Sequence, residues 1–201
     1  MEVVKVKEAA DWIMQLNQWI SELDIQSLYL PAGNTPIPLY QNWEKTKPRF
    51  LNGLKFIQID DVIFSTKAGM FREFFKEHLP SYLDQFHWII DEEVQADMAL
   101  LGLGINGHVG FHEPHLPHDF AFGELDLSEK SVETLGLEKG ARGKSYGLGH
   151  FLKCRHIAFL VFDEKKRAIL EDVLKDESGL PASQVIRHPS VKLYTDLKIS
   201  W

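Results

Sequence analysis

The chain has 201 residues, 44% of them hydrophobic and 25% charged, the balance of a globular protein long enough to bury a core without disulfides or metals. Acidic residues outnumber basic ones 29 to 22, and the resulting net charge of −7 argues against nucleic acid as a partner, because nonspecific polyanion binding needs a cationic surface. A single cysteine (Cys154), an opening segment without a signal-peptide core, and no apolar run near the roughly 20 residues of a membrane helix predict a cytoplasmic protein with no membrane partner.

The predicted elements begin with a helix. Trp12, Ile13, Leu16, Trp19, Ile20 and Leu23 recur at steps of three and four, which puts them on one face. Ser27–Leu30 reads as a short buried strand, broken by Pro31-Ala-Gly-Asn-Thr-Pro36, with Thr35 as an N-cap and Pro36 in the first turn of the next helix. Leu54–Ile59 is a second strand, ending at Asp60-Asp61. A helix over 68–78 follows, then a strand at Met98–Leu101 that runs into Gly102-Leu-Gly-Ile-Asn-Gly107. The most hydrophobic strand is His156–Phe162, followed by a charged amphipathic helix over 164–175 and a last strand at Val191–Thr195. Strands that are apolar throughout and alternate with helices predict an α/β fold: one three-layer, Rossmann-like domain over 1–201, with a mostly parallel sheet covered by helices on both faces. Ligands of such sheets bind beyond the carboxyl ends of the strands, where the polar and glycine-rich segments of this chain fall.

Four segments could carry chemistry. The turn Gly33-Asn34-Thr35 between a strand and a helix is either a phosphate cradle of backbone N–H groups or a plain connection. Gly102-x-Gly104-x-x-Gly107 matches the dinucleotide fingerprint in form, but Pro114 and Pro117 leave no room for the helix that must receive a pyrophosphate. The stretch Asn106–His118 holds four histidines. The prolines keep them off one helix face and no metal motif is present, so an acid–base role for His108, oriented by Glu113, is preferred to a metal site. Asp60 and Asp61 must point to opposite faces of their strand, so one of them can look into a cleft. Residues 139–156, with Lys139, Arg142, Lys144, Lys153 and Arg155 and no acid, are either an anion-facing segment or a solvated loop.

Taken together these residues resemble a known family. Leu101-Gly-Leu-Gly-Ile-Asn-Gly-His-Val-Gly-Phe-His-Glu-Pro114 is similar to the signature of glucosamine-6-phosphate deaminases (isomerases). Leu30–Pro36 looks like the phosphate loop of that family, Phe56–Asp61 like the strand ending in its catalytic aspartate, and Pro181–Pro189 like its Pro-Ala-Ser run. The resemblance implies conversion of an amino sugar 6-phosphate and water into a ketohexose 6-phosphate and ammonia, with no cofactor and no metal. It implies that His108 opens the sugar ring, that Asp60 moves a proton from C2 to C1, that Glu113 orients the histidine and that Asn106 is a second orienting group. Phosphate would lie on Gly33, Asn34 and Thr35, with Lys166 as a partner and Arg142 in the place of the family's phosphate-binding arginine.

The sequence also departs from the pattern. Asn106 stands where many relatives have Asp, His112 replaces an Asn, and the segment from Glu113 to Tyr146 is short for the usual lid. A homo-oligomer is allowed but not required. Two rival readings are 6-phosphogluconolactonase and a sugar-phosphate sensor. Gly110-Phe-His-Glu-Pro114 keeps the glutamate in place of the lactonase Ser-Leu-Phe-Pro ending, and residues before 26 hold no helix-turn-helix segment.

Overall fold

In a computed structural model that describes residues 1–6, 8–175 and 179–199, the chain builds two sheets. It runs β1 (Glu2–Lys5), α1 (Ala9–Glu22), β2 (Ser27–Leu30), α2 (Ile37–Thr46), β3 (Lys55–Gln58), β4 (Asp60–Phe64), α3 (Met70–His78), β5 (Phe86–His87) and β6 (Met98–Gly102). It continues through β7 (Phe122–Asp126), α4 (Glu129–Leu135), β8 (Arg142–Tyr146), α5 (Leu148–Phe151), β9 (His156–Leu160), α6 (Arg167–Leu174), α7 (Pro181–Ile186) and β10 (Val191–Thr195).

The large sheet has the order β1-β10-β9-β6-β2-β3-β5 and every neighbouring pair is parallel. Its strands alternate between two cores. Leu28, Leu30, Phe56 and Leu100 face a cluster built with α1, α2 and α3. Tyr29, Ile57, Leu101 and Phe159 face a second cluster that includes Phe151 of α5, Leu170 of α6 and Val185 of α7. This is the expected three-layer α/β arrangement. No described helix is long and apolar enough to cross a membrane.

Strand order reverses at the centre. From β2 the chain steps outward to β3 and β5, then returns to the other side of β2 as β6 and steps the opposite way to β9 and β10. The two crossovers diverge above β2 and β6, which leaves a crevice at their carboxyl ends. The loops that follow these strands, 31–36 and 103–113, border it.

Several expectations are corrected. The strand over 54–59 does not end at Asp60-Asp61: the chain leaves the large sheet after Gln58, and Asp60 opens β4 in a second, antiparallel sheet of order β4-β8-β7. Strands β7 and β8 of that sheet, with α4 between them, fill the segment read as a shortened lid, and Val62, Phe111, Leu125, Leu127 and Ala141 form a small core of their own. Thr35 is not a cap: α2 starts at Ile37 with Pro36 at the capping position and no side-chain hydrogen bond, and it is Pro38 that sits in the first turn. The opening residues form β1, an edge strand parallel to β10. The glycine run behaves as its prolines predict, since turns rather than a helix directly follow Gly107.

Candidate active site

A cavity of about 990 Å³ lies over the crevice, a size suited to a small ligand with its water. Gly33, Asn34, Thr35, Asp60, His108 and Lys166 all line it. The topology therefore brings together segments more than 130 residues apart.

The loop after β2 offers donors. Gly33 has φ +106, a conformation that suits glycine, and a side chain added there would meet open space. Among the described residues, the N–H groups of Gly33, Asn34 and Thr35 have no acceptor. Lys166, in a short 3-10 turn before α6, faces the same space. Burial lowers its pKa, partly offset by the negative charge of Asp163, which itself sits at φ +83.

Two adjacent acids divide their work. Asp61 accepts from the backbone N–H of Val62 at 2.8 Å, Phe71 at 2.9 Å and Arg72 at 3.0 Å, and from Gln58 Nε2 at 2.9 Å. It thus caps the start of α3 from outside the helix. Asp60 points the other way, into the cavity. Its side chain is buried and has no hydrogen-bond donor among the described residues. Burial, and then the charge of Asp61, push its carboxyl up to about 8.

The loop after β6 carries His108 and Glu113. The His108 ring lies flat against Gly104, where a Cβ would come within 2.3 Å of its Cδ2 and Nε2 atoms. Its Nδ1 is buried, is 3.7 Å from Glu113 Oε2 and has no other partner among the described residues. Glu113 is fully buried. Its Oε2 accepts from Asn106 Nδ2 at 2.9 Å, and its Oε1 accepts from Ser128 Oγ at 2.9 Å and from Ser131 Oγ. Burial raises the pKa of Glu113, but the His108 imidazole, the Ser131 hydroxyl and the Asn106 amide outweigh it and hold the carboxyl at about 2. Glu113 is an anion at neutral pH.

No protein-family model matches this chain. Glucosamine-6-phosphate deaminase of Staphylococcus aureus (strain N315) is 32% identical over 120 residues, which cover 56% of this chain and 48% of that protein. The chain thus spans about half the length of the curated relatives it matches. Among solved structures, a monomeric glucosamine-6-phosphate deaminase superposes with a TM-score of 0.79 at 17% identity, covering 97% of both chains. The 6-phosphogluconolactonase of Leishmania guyanensis gives 0.75 at 14% identity, covering 96% of this chain and 95% of that one. The chain is thus similar in sequence to glucosamine-6-phosphate deaminases over about half their length, and it shares its fold with those deaminases and with 6-phosphogluconolactonases.

Several placements differ from what the sequence suggests. Arg142 does not reach the cavity: on β8 it pairs with Glu124 at 3.1 Å and Asp126 at 3.4 Å, both on the neighbouring β7. The rest of the basic segment is spread as well, with Lys144 over the Phe122 ring and Arg155 paired to Asp97 at 3.0 Å. Asn106 orients Glu113 rather than the histidine ring, although its Oδ1 accepts the His108 backbone N–H at 3.3 Å. His112 is a core residue. Its Nδ1 accepts Leu148 N–H at 3.0 Å, and burial pulls its pKa down to about 4, so it stays neutral. The four histidines of the loop disperse, with His118 bound to the Gly179 carbonyl.

Sequence reasoning missed Ser128 and Ser131. The signal that could have found them is a serine N-cap and a second serine three residues on, at the start of a short helix.

Proposed function

We propose that this protein is an aldose–ketose isomerase/deaminase that converts an amino sugar 6-phosphate, glucosamine or galactosamine 6-phosphate, to a ketohexose 6-phosphate and ammonia. The observation that carries this reading is the opposite tuning of two carboxylates in one site. Glu113 is held ionised behind His108, and Asp60, with its pKa pushed up to about 8, has no donor on it among the described residues. Environments that push two titratable groups apart assign the acid and the base.

The roles follow from that pairing. His108 takes the proton from O1 and returns it to O5 as the ring opens, with Glu113 stabilising the imidazolium that forms between the two transfers. Asp60 takes the C2 proton, and the electron pair of that C–H bond enters an enol-type intermediate. The same carboxyl delivers the proton to C1. Water then attacks the resulting C2 imine and ammonia leaves. The Gly33–Thr35 N–H groups and Lys166 hold the phosphate dianion and so fix C1 and C2 beside Asp60. The reaction calls for no metal or redox cofactor, and the cytoplasm, which retains phosphorylated sugars, is the natural site for it.

Lactone hydrolysis offers the sharpest contrast, because it breaks an acyl C–O bond and no C–H bond. Incubation with glucosamine 6-phosphate in heavy water is therefore expected to release ammonia and to place deuterium at C1 of the product. The Asp60→Asn variant is expected to lose the exchange while keeping phosphate binding. Ready hydrolysis of 6-phosphogluconolactone without exchange or ammonia would replace this reading with the lactonase one.

A further inference from the structure

Helix α4 touches both the cavity and the buried carboxylate. Lys130, Ser131 and Thr134 line the cavity. From the same helix, Ser131 Oγ donates to Glu113 Oε1, and the capping residue Ser128 donates to that oxygen at 2.9 Å while accepting Ser131 N–H at 3.2 Å. The donors on Glu113 are thus sorted by oxygen. Oε1 takes the two hydroxyls of α4, and Oε2 takes Asn106 and faces the otherwise unpartnered Nδ1 of His108. No water can replace a lost hydroxyl without entering space that is now closed, since Glu113 has no exposed surface.

We propose that Ser131, supported by Ser128, is a positioning residue that couples the seating of α4 on the cavity to the direction and charge of Glu113, so that His108 is polarised only when α4 is docked. This rests on the reading of His108 and Glu113 as the ring-opening pair. With both hydroxyls on Oε1, the carboxylate cannot rotate without losing charge-assisted hydrogen bonds, and Oε2 stays aimed at Nδ1. If α4 lifts, Oε1 is left bare in a dry site, where the ionised form is disfavoured. Contacts that substrate makes with α4 then act on the acid–base pair without touching it.

Ser131→Ala tests the coupling, because it removes the hydroxyl and leaves the backbone N–H that Ser128 caps. The expected result is a kcat about tenfold lower with KM little changed, since one charge-assisted hydrogen bond is lost. Ser131→Thr, which restores a hydroxyl, is expected to recover the lost kcat. A second readout does not depend on turnover: the side-chain carboxyl of Glu113, followed by 13C NMR from pH 2 to 6, is expected to titrate about one pH unit higher in Ser131→Ala than in wild type. Identical Glu113 titration in the two folded proteins would overturn the proposal, whatever the enzyme turns over. A shifted titration in a wild-type protein without deaminase activity would keep the coupling and remove the function proposed above.

Discussion

Replacing Gly104 by alanine adds one methyl group and aims it at one ring. The new Cβ would lie 2.3 Å from His108 Cδ2 and Nε2 and 2.4 Å from Cε1. Carbon atoms pack at about 3.5 Å or more, so the ring must retreat by roughly 1.2 Å. The backbone has no such difficulty, because Gly104 does not occupy the positive-φ region and its turn is held by Gly104 N–H on the His108 carbonyl at 2.9 Å. The His108 side chain is 25% exposed on the cavity side, so it can swing into open space. That movement takes Nδ1 away from Glu113. A displacement of about 1 Å in a catalytic group costs on the order of 100-fold in rate, or ~2.7 kcal/mol in the barrier. Gly104→Ala is therefore expected to lower ammonia release about 100-fold while the melting temperature moves by only a few degrees, the effect of ~1 kcal/mol or less. Full activity in the variant would show that the ring's place against Gly104 does not matter to catalysis. A collapse of stability would show that the ring cannot yield, and the reasoning would fail at that step.

Two further outcomes are expected. Asp60 has a pKa near 8 in the folded protein against an ordinary value of 3.8, so the folded state holds an extra proton between those limits. Its contribution to stability is complete below about pH 4 and is lost as pH rises through 8. Calorimetry from pH 4 to 9 is expected to show that decline in wild type and a flatter profile in Asp60→Asn, with the variant more stable than wild type at pH 8.5. Parallel profiles would mean that Asp60 is not buried and donor-free as described. Inorganic phosphate and hexose 6-phosphates are expected to raise the melting temperature, by the equivalent of ~2.7 kcal/mol at a hundred times the dissociation constant, and less so in Lys166→Met. An equal rise with the unphosphorylated sugar would remove the cradle at Gly33–Thr35.

Much of the fold could be read from sequence because the central strands are buried on both faces. His156–Leu160 and Met98–Leu101 read as continuous apolar runs for that reason, and α1 carries a clear apolar stripe. The break between β3 and β4 left no such mark. Residues 55–64 are extended throughout, and only the pairing of Asp60 with Ser145 on a strand 85 positions away shows that the chain has changed sheets. Arg142 was misplaced for a related reason: a run of basic residues does not reveal that β7 sets Asp126 opposite Arg142 and Glu124 opposite Lys144. His108 and Glu113 stood out by their spacing in a proline-limited loop and Asp60 by the resemblance of its strand, and the structure puts Asp60 and His108 on one cavity with Glu113 3.7 Å behind the ring. The serines that hold Glu113 come from a helix of seven residues, too short and polar to announce itself.

The small sheet explains why the two acids of the site differ. Asp60 opens its first strand, and Ser128 and Ser131, which fill one oxygen of Glu113, belong to the α4 segment that connects β7 to β8. Both carboxylates thus take their environment from the same unit, in opposite senses. Donors converge on Glu113 and on Asp61, which accepts three backbone N–H groups and a glutamine amide, while among the described residues none reaches the Asp60 carboxyl. A carboxylate already engaged by several donors is a poor acceptor for a proton on carbon, whereas a buried one with bare lone pairs and a pKa near the working pH is a good one. Glu113 suits the opposite task, holding charge beside an imidazole that must gain and release a proton. The large parallel sheet provides the crevice and the Gly33–Thr35 loop; the small antiparallel sheet and α4 set the opposite environments of the two acids.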